Sequence, residues 1–157
     1  MFSHSARKRF GQHWLQSEKV LHAILEAAAV TRQDCVLEIG PGTGILTRWL
    51  ISLAGAVVAV ELDWDLYRKL SNQFAKDDNF KLLQGDILEL DLAAAIDQDP
   101  DFPGRFPNKV VANIPYYITG PILELLLGTI AQPNPQPYDS IVLLVQKEVA
   151  ERLYATP

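Results

Sequence analysis

The stretch Asn113-Ile114-Pro115-Tyr116 has the residue types needed to activate an amino group on a flat ring. It follows the apolar run Val110-Val111-Ala112, which predicts a short buried strand. Pro115 then favours a sharp turn, because it fixes its own φ and disfavours helix at the preceding residue. Such a turn presents one amide side chain, one uncommitted backbone carbonyl and one aromatic ring. The amide oxygen of Asn113 and the carbonyl can each accept an N–H of an exocyclic amine, while Tyr116 stacks on the ring.

This arrangement favours transfer of a methyl group to an aromatic amine. The amino lone pair of adenine is delocalised into its ring, so the nitrogen is a poor nucleophile. Two acceptors that hold both N–H groups push the nitrogen toward sp³ and free the lone pair. No strong base is then needed when the electrophile is a sulfonium methyl. Taken without its neighbours, the same stretch is equally typical of a polar strand end followed by a proline turn.

Length and composition indicate one globular domain. The 157 residues suffice for a core, and 48% hydrophobic with 21% charged residues is ordinary for a soluble protein. No apolar run approaches the roughly 18 residues that span a bilayer, and the opening residues 1–5 lack the apolar segment of a secretory signal. A single cysteine, Cys35, excludes an intrachain disulfide, which fits a reducing compartment. We therefore expect a cytoplasmic protein with no membrane contact and no metal site.

The charge distribution is uneven along the chain. A net charge of −5 does not by itself favour nucleic-acid binding. However, Arg7-Lys8-Arg9 forms a basic cluster near the N-terminus, and a short basic arm is a candidate contact for RNA phosphates. A solvated tail that keeps this end soluble explains the same residues equally well.

Strands and helices alternate along the chain, which predicts an α/β fold with a mostly parallel sheet. Ser17 is a candidate cap for the first helix. The pattern of residues 87–107 predicts no defined element, and Pro100, Pro103, Gly104 and Pro107 mark a loop. The predicted strands are 35–39, 56–61, 80–83, 110–113 and 141–145, and the predicted later helices are 46–53, 65–74, 120–130 and 147–153. Residues 1–16 form an N-terminal arm and residues 17–157 the domain.

A glycine-rich turn, Gly40-Pro-Gly-Thr-Gly44, follows the first predicted strand and indicates a cofactor site. Its glycines are spaced one residue more tightly than the dinucleotide pattern, which places a pyrophosphate on a helix N-terminus. The tighter turn, preceded by the acidic Glu38, suits a cofactor without phosphates. A nicotinamide enzyme is therefore disfavoured.

Two acids follow the next two strands. Glu61 stands where an acid binds ribose hydroxyls in nucleotide-binding sheets, and Asp86 can accept from the amino group of an adenine. Each alone is equally compatible with a solvated turn. Together with the glycine turn and Asn113, they occupy four successive strand ends in the order that S-adenosylmethionine requires.

These motifs resemble those of the rRNA adenine N6-dimethyltransferase family. The resemblance covers nearly the whole chain, through 38–47, 60–63, 85–86 and 113–116. The opening Lys8-Arg-Phe-Gly-Gln12 and the run Gln146-Lys-Glu-Val-Ala-Glu-Arg-Leu153 are similar to the KsgA type of the family. This resemblance implies a Rossmann-like class I methyltransferase fold. It also implies dimethylation of two adjacent adenosines near the 3′ end of small-subunit rRNA, within a pre-30S-type particle during ribosome biogenesis.

The resemblance also implies a role for each site residue. The arm folds over the cofactor, although His13 and Trp14 depart from the usual Gln-Asn-Phe-Leu, so a backbone contact at Leu15 is the part expected to persist. Asn113 and the Pro115 carbonyl hold the target amino group, and Tyr116 stacks on a base removed from its RNA context. The implied cofactor-binding residues are Gln12, His13, Leu15, Gly40, Gly42, Glu61, Leu62, Asp86, Ile87 and Asn113.

The family sheet has seven strands, whereas five are predicted here. We therefore expect a chain that lacks the final strand pair and a small helical C-terminal domain, with 141–145 as an apolar edge that promotes self-association. We also expect such a chain to show weak or absent methylation activity. One alternative is an RNA-binding assembly factor in which catalysis is secondary. Another is a DNA adenine or protein glutamine methyltransferase, which Ile114 and the basic arm disfavour.

Overall fold

The structure, a computed structural model, describes residues 16–99, 102, 106–135 and 137–155. The side chain of Tyr116 also lies outside the described part. Among the described residues, no helix has the length and apolar character needed to cross a membrane.

Strands and helices alternate as the sequence predicts. The strands are β1 (Cys35–Ile39), β2 (Ala56–Glu61), β3 (Phe80–Gln84), β4 (Lys109–Asn113) and β5 (Ser140–Leu144). The helices are α1 (Glu18–Ala28), α2 (Ile45–Leu53), α3 (Trp64–Gln73), α4 (Leu92–Asp97), α5 (Thr119–Leu127) and α6 (Lys147–Tyr154). A 3₁₀ turn, Tyr116–Ile118, joins β4 to α5.

The five strands form one parallel sheet in the order β3-β2-β1-β4-β5. The chain moves outward from β1 through β2 to β3, then returns to place β4 on the other side of β1. This reversal is the topological switch point at which open α/β sheets bind ligands. The predicted α/β class with a Rossmann-like sheet is confirmed.

Helices cover both faces of the sheet, and the core is divided between them. Every residue of β1 and β2 is buried, as expected for central parallel strands. On one face Val36, Val57 and Val111 pack with residues of α1, α2 and α3. On the other, Leu37 and Val58 pack with residues of α4 and α5. Since successive side chains alternate between faces, this division fixes the direction of every site residue on these strands.

Two local predictions need correction, and one stretch without a predicted element contains a helix. Ser17 occupies the N-cap position of α1, but its side chain makes no capping hydrogen bond. The helix α4 lies within residues 87–107, and it begins because Asp91 accepts a hydrogen bond from the Ala94 amide at 3.0 Å. The helix predicted to run to Ile130 ends at Leu127, because Gly128 adopts a φ of 78°.

A hydrogen-bonded cluster joins the loops at the amino ends of β1, β4 and β5. The side chain of Asn108 accepts from the Cys35 amide at 2.9 Å and donates to Asp34 at 2.8 Å and Asp139 at 2.9 Å. Lys109 forms an ion pair with Asp34 at 3.1 Å, and the Thr31 amide donates to the same carboxylate at 2.7 Å. This cluster holds the edge of the sheet that lies opposite the strand ends with the predicted site.

The Asp34 carboxylate is stabilised in its charged form. Burial alone would raise its pKa, but hydrogen bonds from Asn108, Thr31 and Lys109 outweigh that effect and lower the pKa from 3.8 to about 2. The charged form therefore stabilises the fold fully above pH 3.8, and this contribution is lost as the pH falls from 3.8 to about 2.

We predict that Asp34→Asn lowers the free energy of unfolding by roughly 2–2.5 kcal/mol at pH 7, because lowering the pKa from 3.8 to about 2 corresponds to that free energy. Urea unfolding followed by circular dichroism at pH 7, 5 and 3 measures it. The difference in free energy of unfolding between the wild-type chain and Asp34→Asn should be equal at pH 7 and 5 and smaller at pH 3. Asp97→Asn, an exposed acid on α4, is the matched control. Equal losses in the two variants would contradict the prediction.

Candidate functional site

The parallel register brings three predicted site residues to one level of the sheet. Ile39 on β1 is paired with Val60 on β2 and with Ala112 on β4. The residues that follow are Gly40, Glu61 and Asn113. Because neighbouring strands lie about 4.8 Å apart, the backbones of Glu61 and Asn113 stand roughly 10 Å apart on either side of Gly40.

The side chains of Glu61 and Asn113 project from the same face of the sheet. Glu61 lies four residues after Val57, and Asn113 lies two residues after Val111, both of which pack on the α1–α3 face. The glycine turn leads from β1 into α2 on that face. The structure therefore gathers the turn, the predicted ribose acid and the predicted amine acceptor around one space at the carboxyl edge.

The glycine turn is held by backbone geometry that glycine favours. Gly40, Gly42 and Gly44 have φ values of 67°, 63° and 82°, in the left-handed region. The Gly40 amide donates to the Val60 carbonyl at 2.9 Å, which continues the β1–β2 ladder into the turn. The Gly44 amide donates to Pro41 at 3.0 Å and closes the turn at the start of α2.

Two of these glycines face different surroundings. A Cβ on Gly44 would lie 2.8 Å from Phe74 and 2.9 Å from Leu70, so this glycine is required by helix packing. A Cβ on Gly40 would meet no atom within 4 Å. The space above Gly40 is therefore open, as a site for a ligand against the backbone requires.

Glu61 is nearly inaccessible, with 1% of its surface exposed. One carboxylate oxygen accepts from the Gly42 amide at 3.2 Å, and the other accepts from the Asp63 amide at 2.9 Å. Glu61 thus ties the turn after β1 to the end of β2, a structural role that sequence analysis missed. The signal for it was an acid at the end of the strand neighbouring a glycine turn.

Asp86, Ile87 and Leu62 follow the ends of β3 and β2, on the outer side of Glu61. One Asp86 oxygen accepts from the Leu88 amide at 2.9 Å, which orders the turn after β3. The Ile87 side chain is buried in the core under α4 and α5, so its backbone is the part available to a ligand. The Leu62 side chain is 53% exposed at the rim of the site.

The carbonyl of Pro115 is not uncommitted, which corrects the expectation from sequence. It accepts from the Ile118 amide at 3.3 Å and from the Thr119 hydroxyl at 3.2 Å, because the chain enters a 3₁₀ turn here. A carbonyl has two lone pairs, and both are used. Within the described part of the chain, the carbonyl of Ile114 has no donor, although the Ile114 amide is bonded to Leu144 at 3.2 Å.

Glu38 lies below the glycine turn, on the same face as Glu61. It is 2% exposed, and its Oε2 has no hydrogen-bond partner among the described residues. The buried hydroxyl of Thr47 on α2 is nearby but likewise has no partner of good geometry there. Burial raises the pKa of Glu38 to about 8; the Thr47 hydroxyl opposes the rise, and the charge of Glu61 adds to it.

Several predicted site residues lie outside the described residues. They are Arg7, Lys8, Arg9, Gln12, His13 and Leu15, together with the side chain of Tyr116. Over 16–99, 102, 106–135 and 137–155, no three His, Cys, Asp or Glu side chains are grouped to bind a metal.

An open cleft of about 830 Å³ lies away from this site, between α2, α3 and the loops that lead into β1, β2 and β3. Its lining mixes the basic Arg32, Arg48 and Lys76 with the acidic Asp77 and Asp78. The cleft is thus on the side of the molecule opposite the strand ends, and its mixed charge selects no ligand class.

Comparison with known sequences identifies the family of the chain. Residues 3–157 match the family model described as ribosomal RNA adenine dimethylase. Ribosomal RNA small subunit methyltransferase A of Nostoc punctiforme is 63% identical over 157 residues, which covers 96% of this chain and 54% of that protein. The protein of the same name from Trichormus variabilis is 63% identical over 149 residues, with 95% and 54% covered. The chain spans about half the length of these relatives.

The fold of the chain is similar to those of two solved methyltransferase structures. A dimethyladenosine transferase from Plasmodium falciparum is 28% identical with a TM-score of 0.73, over 89% of this chain and 46% of that one. The 23S rRNA methyltransferase ErmE is 29% identical with a TM-score of 0.65, over 86% and 48%. Since the family model matches almost every residue and the fold agrees, the chain belongs to the ribosomal RNA adenine dimethylase family.

Proposed function

We propose that this chain provides the S-adenosylmethionine site and the amine acceptors of an enzyme that dimethylates rRNA. Its substrate would be the N6 amino groups of two adjacent adenosines near the 3′ end of small-subunit rRNA, in a pre-30S-type particle of the cytoplasm. The observation that carries the proposal is the placement of Gly40, Glu61 and Asn113 at one level and on one face of the sheet. The family membership supports the same chemistry.

The residues present fit S-adenosylmethionine. Open space above Gly40 admits the methionine part against the backbone, without a phosphate to bind. Glu61, ordered by two amides at the second strand end, would accept hydrogen bonds from the ribose hydroxyls. Asp86 keeps one oxygen for the adenine amine, while Leu62 lies exposed beside it. Arg7, Lys8 and Arg9 would contact RNA phosphates, and Gln12, His13 and Leu15 would cover the cofactor.

The chain's own groups would activate the target amine by accepting its hydrogens. Asn113 supplies one acceptor through Oδ1. Because the Pro115 carbonyl is engaged in the turn, the Ile114 carbonyl is the neighbouring backbone acceptor that remains. S-adenosylmethionine supplies an electrophilic methyl group on a sulfonium. Asn113 and the Ile114 carbonyl would hold the amine nitrogen that accepts this methyl group, and one N–H proton would leave to solvent.

Positioning is the main catalytic contribution in this arrangement. Asn113 is paired with Leu144 of β5, and the preceding Ala112 is paired with Ile39 of β1, so the end of β4 is fixed by the sheet. Tyr116 would stack on the extruded base. After the first transfer, one acceptor loses its N–H partner, so the site must also hold a methyl group beside Asn113.

Calorimetric titration of the chain with S-adenosylmethionine and, separately, with NAD tests the cofactor assignment. The methyl donor should bind and NAD should not. Gly40→Ala should weaken binding of the methyl donor at least tenfold, because its Cβ fills the space kept for the ligand and because a φ of 67° is strained for alanine. Gly120→Ala on α5, whose Cβ also meets no atom within 4 Å, is the matched control and should bind normally. Binding of NAD, or of neither ligand, would contradict the assignment.

Asn113→Ala should reduce methyl incorporation into unmethylated small-subunit particles by roughly a hundredfold or more, because it removes an acceptor aimed at the reacting amine. A single-turnover assay with the chain in excess over radiolabelled donor measures this. Asn72→Ala, an exposed amide on α3, should leave the rate unchanged. Undiminished transfer in Asn113→Ala would instead favour an assembly factor whose role is RNA binding.

The open side of β5 gives this chain a route to self-association. Within the described residues β5 pairs only with β4, so one row of backbone groups is unpaired, and its side chains are aliphatic after Ser140. Such an edge templates pairing with a second chain. Light scattering should therefore show a mass above 17.5 kDa that rises with concentration. A single 17.5 kDa species at all concentrations, with a cooperative thermal transition, would contradict this.

A further inference from the structure

Two acids are buried on the same face of the sheet at the proposed cofactor site. Glu38 is 2% exposed and Glu61 is 1% exposed. Alternation along β1 places Glu38 on the face of Val36, which is the α1–α3 face that Glu61 also shares. By register, Glu38 stands level with Ala59, two residues below Glu61, and directly under the glycine turn.

The two carboxyl groups have different hydrogen-bond partners. Both oxygens of Glu61 accept amide hydrogens, at 3.2 Å and 2.9 Å, which stabilises a carboxylate. Among the described residues, Oε2 of Glu38 has no donor, and the only polar group that α2 offers it is the hydroxyl of Thr47. From β4 it faces Val111, which does not titrate, and from β2 it faces the charge of Glu61. Burial therefore favours a neutral Glu38, with a pKa of about 8.

The proposed cofactor would change this balance, because S-adenosylmethionine carries a sulfonium and an ammonium against one carboxylate. A positive charge brought into a buried site favours the ionised form of a neighbouring acid. We propose that Glu38 carries a proton in the ligand-free chain and releases it to solvent when S-adenosylmethionine binds. The O–H bond of the carboxyl group breaks, and the remaining carboxylate balances the charge of the ligand. This inference rests on the proposed function.

The direction of the pH effect follows from the proton release. Since a proton leaves on binding, lower pH opposes binding, and the dissociation constant should rise by up to about tenfold per unit as the pH falls below the ligand-free pKa. Near pH 7 about 0.9 of the Glu38 side chains would be protonated before binding, given a pKa of about 8. The number of protons released should approach that value.

Titration calorimetry at pH 7 in buffers of different ionisation enthalpy measures the proton count. The wild-type chain should release between about 0.5 and 0.9 proton per S-adenosylmethionine bound. Glu38→Gln keeps the shape of the side chain and is neutral in both states. This variant should therefore release about 0.5 to 0.9 fewer protons per ligand bound than the wild-type chain. The ligand's own amino group titrates equally in both proteins and cancels in the difference.

Infrared spectroscopy gives a second measurement that needs no variant. The ligand-free chain at pH 7 should show the carbonyl band of a protonated buried carboxylic acid, and this band should disappear on addition of S-adenosylmethionine. Binding with no difference in proton release between wild type and Glu38→Gln, or a band that persists in the complex, would overturn the inference and leave the proposed function standing. Absence of binding would overturn both.

Discussion

The site depends on the pairing of β1 with β2 on one side and with β4 on the other. These ladders place Glu61 and Asn113 level with Gly40, although 20 residues or more separate each of them from that glycine in the chain. A shift of either strand by one residue would turn its site residue to the opposite face, because side chains alternate along a strand. The buried valines of β1, β2 and β4 oppose such a shift, so the hydrophobic core also fixes the geometry of the polar edge.

Both backbone conformation and side-chain contacts fix the glycine turn at this edge. Left-handed φ values let the chain leave β1 and enter α2 within five residues. Gly44 is then covered by Phe74 and Leu70 from α3, whereas Gly40 faces open space. Glu61 reaches across from β2 to the Gly42 amide, so the acid proposed to bind the ribose also sets the shape of the turn. A ligand that competes for this carboxylate would act on the turn directly.

Much of the architecture could be predicted from the sequence, because apolar runs and turn residues mark the strands clearly. The five strand positions, the helices between them and the grouping of polar residues at the strand ends all follow from local patterns. α4 was missed because it is only six residues long and is followed by a stretch rich in proline. The commitment of the Pro115 carbonyl depends on the 3₁₀ turn and the Thr119 hydroxyl, which no spacing rule specifies. The protonation of Glu38 depends on burial by α2, although an acid within an otherwise apolar strand was a visible signal.

The Asn108 cluster gives the two edges of the sheet different kinds of support. At the amino edge, side chains of Asn108, Asp34 and Lys109 join three loops through hydrogen bonds and an ion pair. At the carboxyl edge, backbone amides and a single buried carboxylate hold the turn. Substitutions that raise thermal stability can therefore occur at the amino edge without altering the ligand space. Substitutions that select a different acceptor can occur at the carboxyl edge without weakening the hydrogen bonds at the amino edge. Members of the family can in this way diversify their substrates while they keep one scaffold.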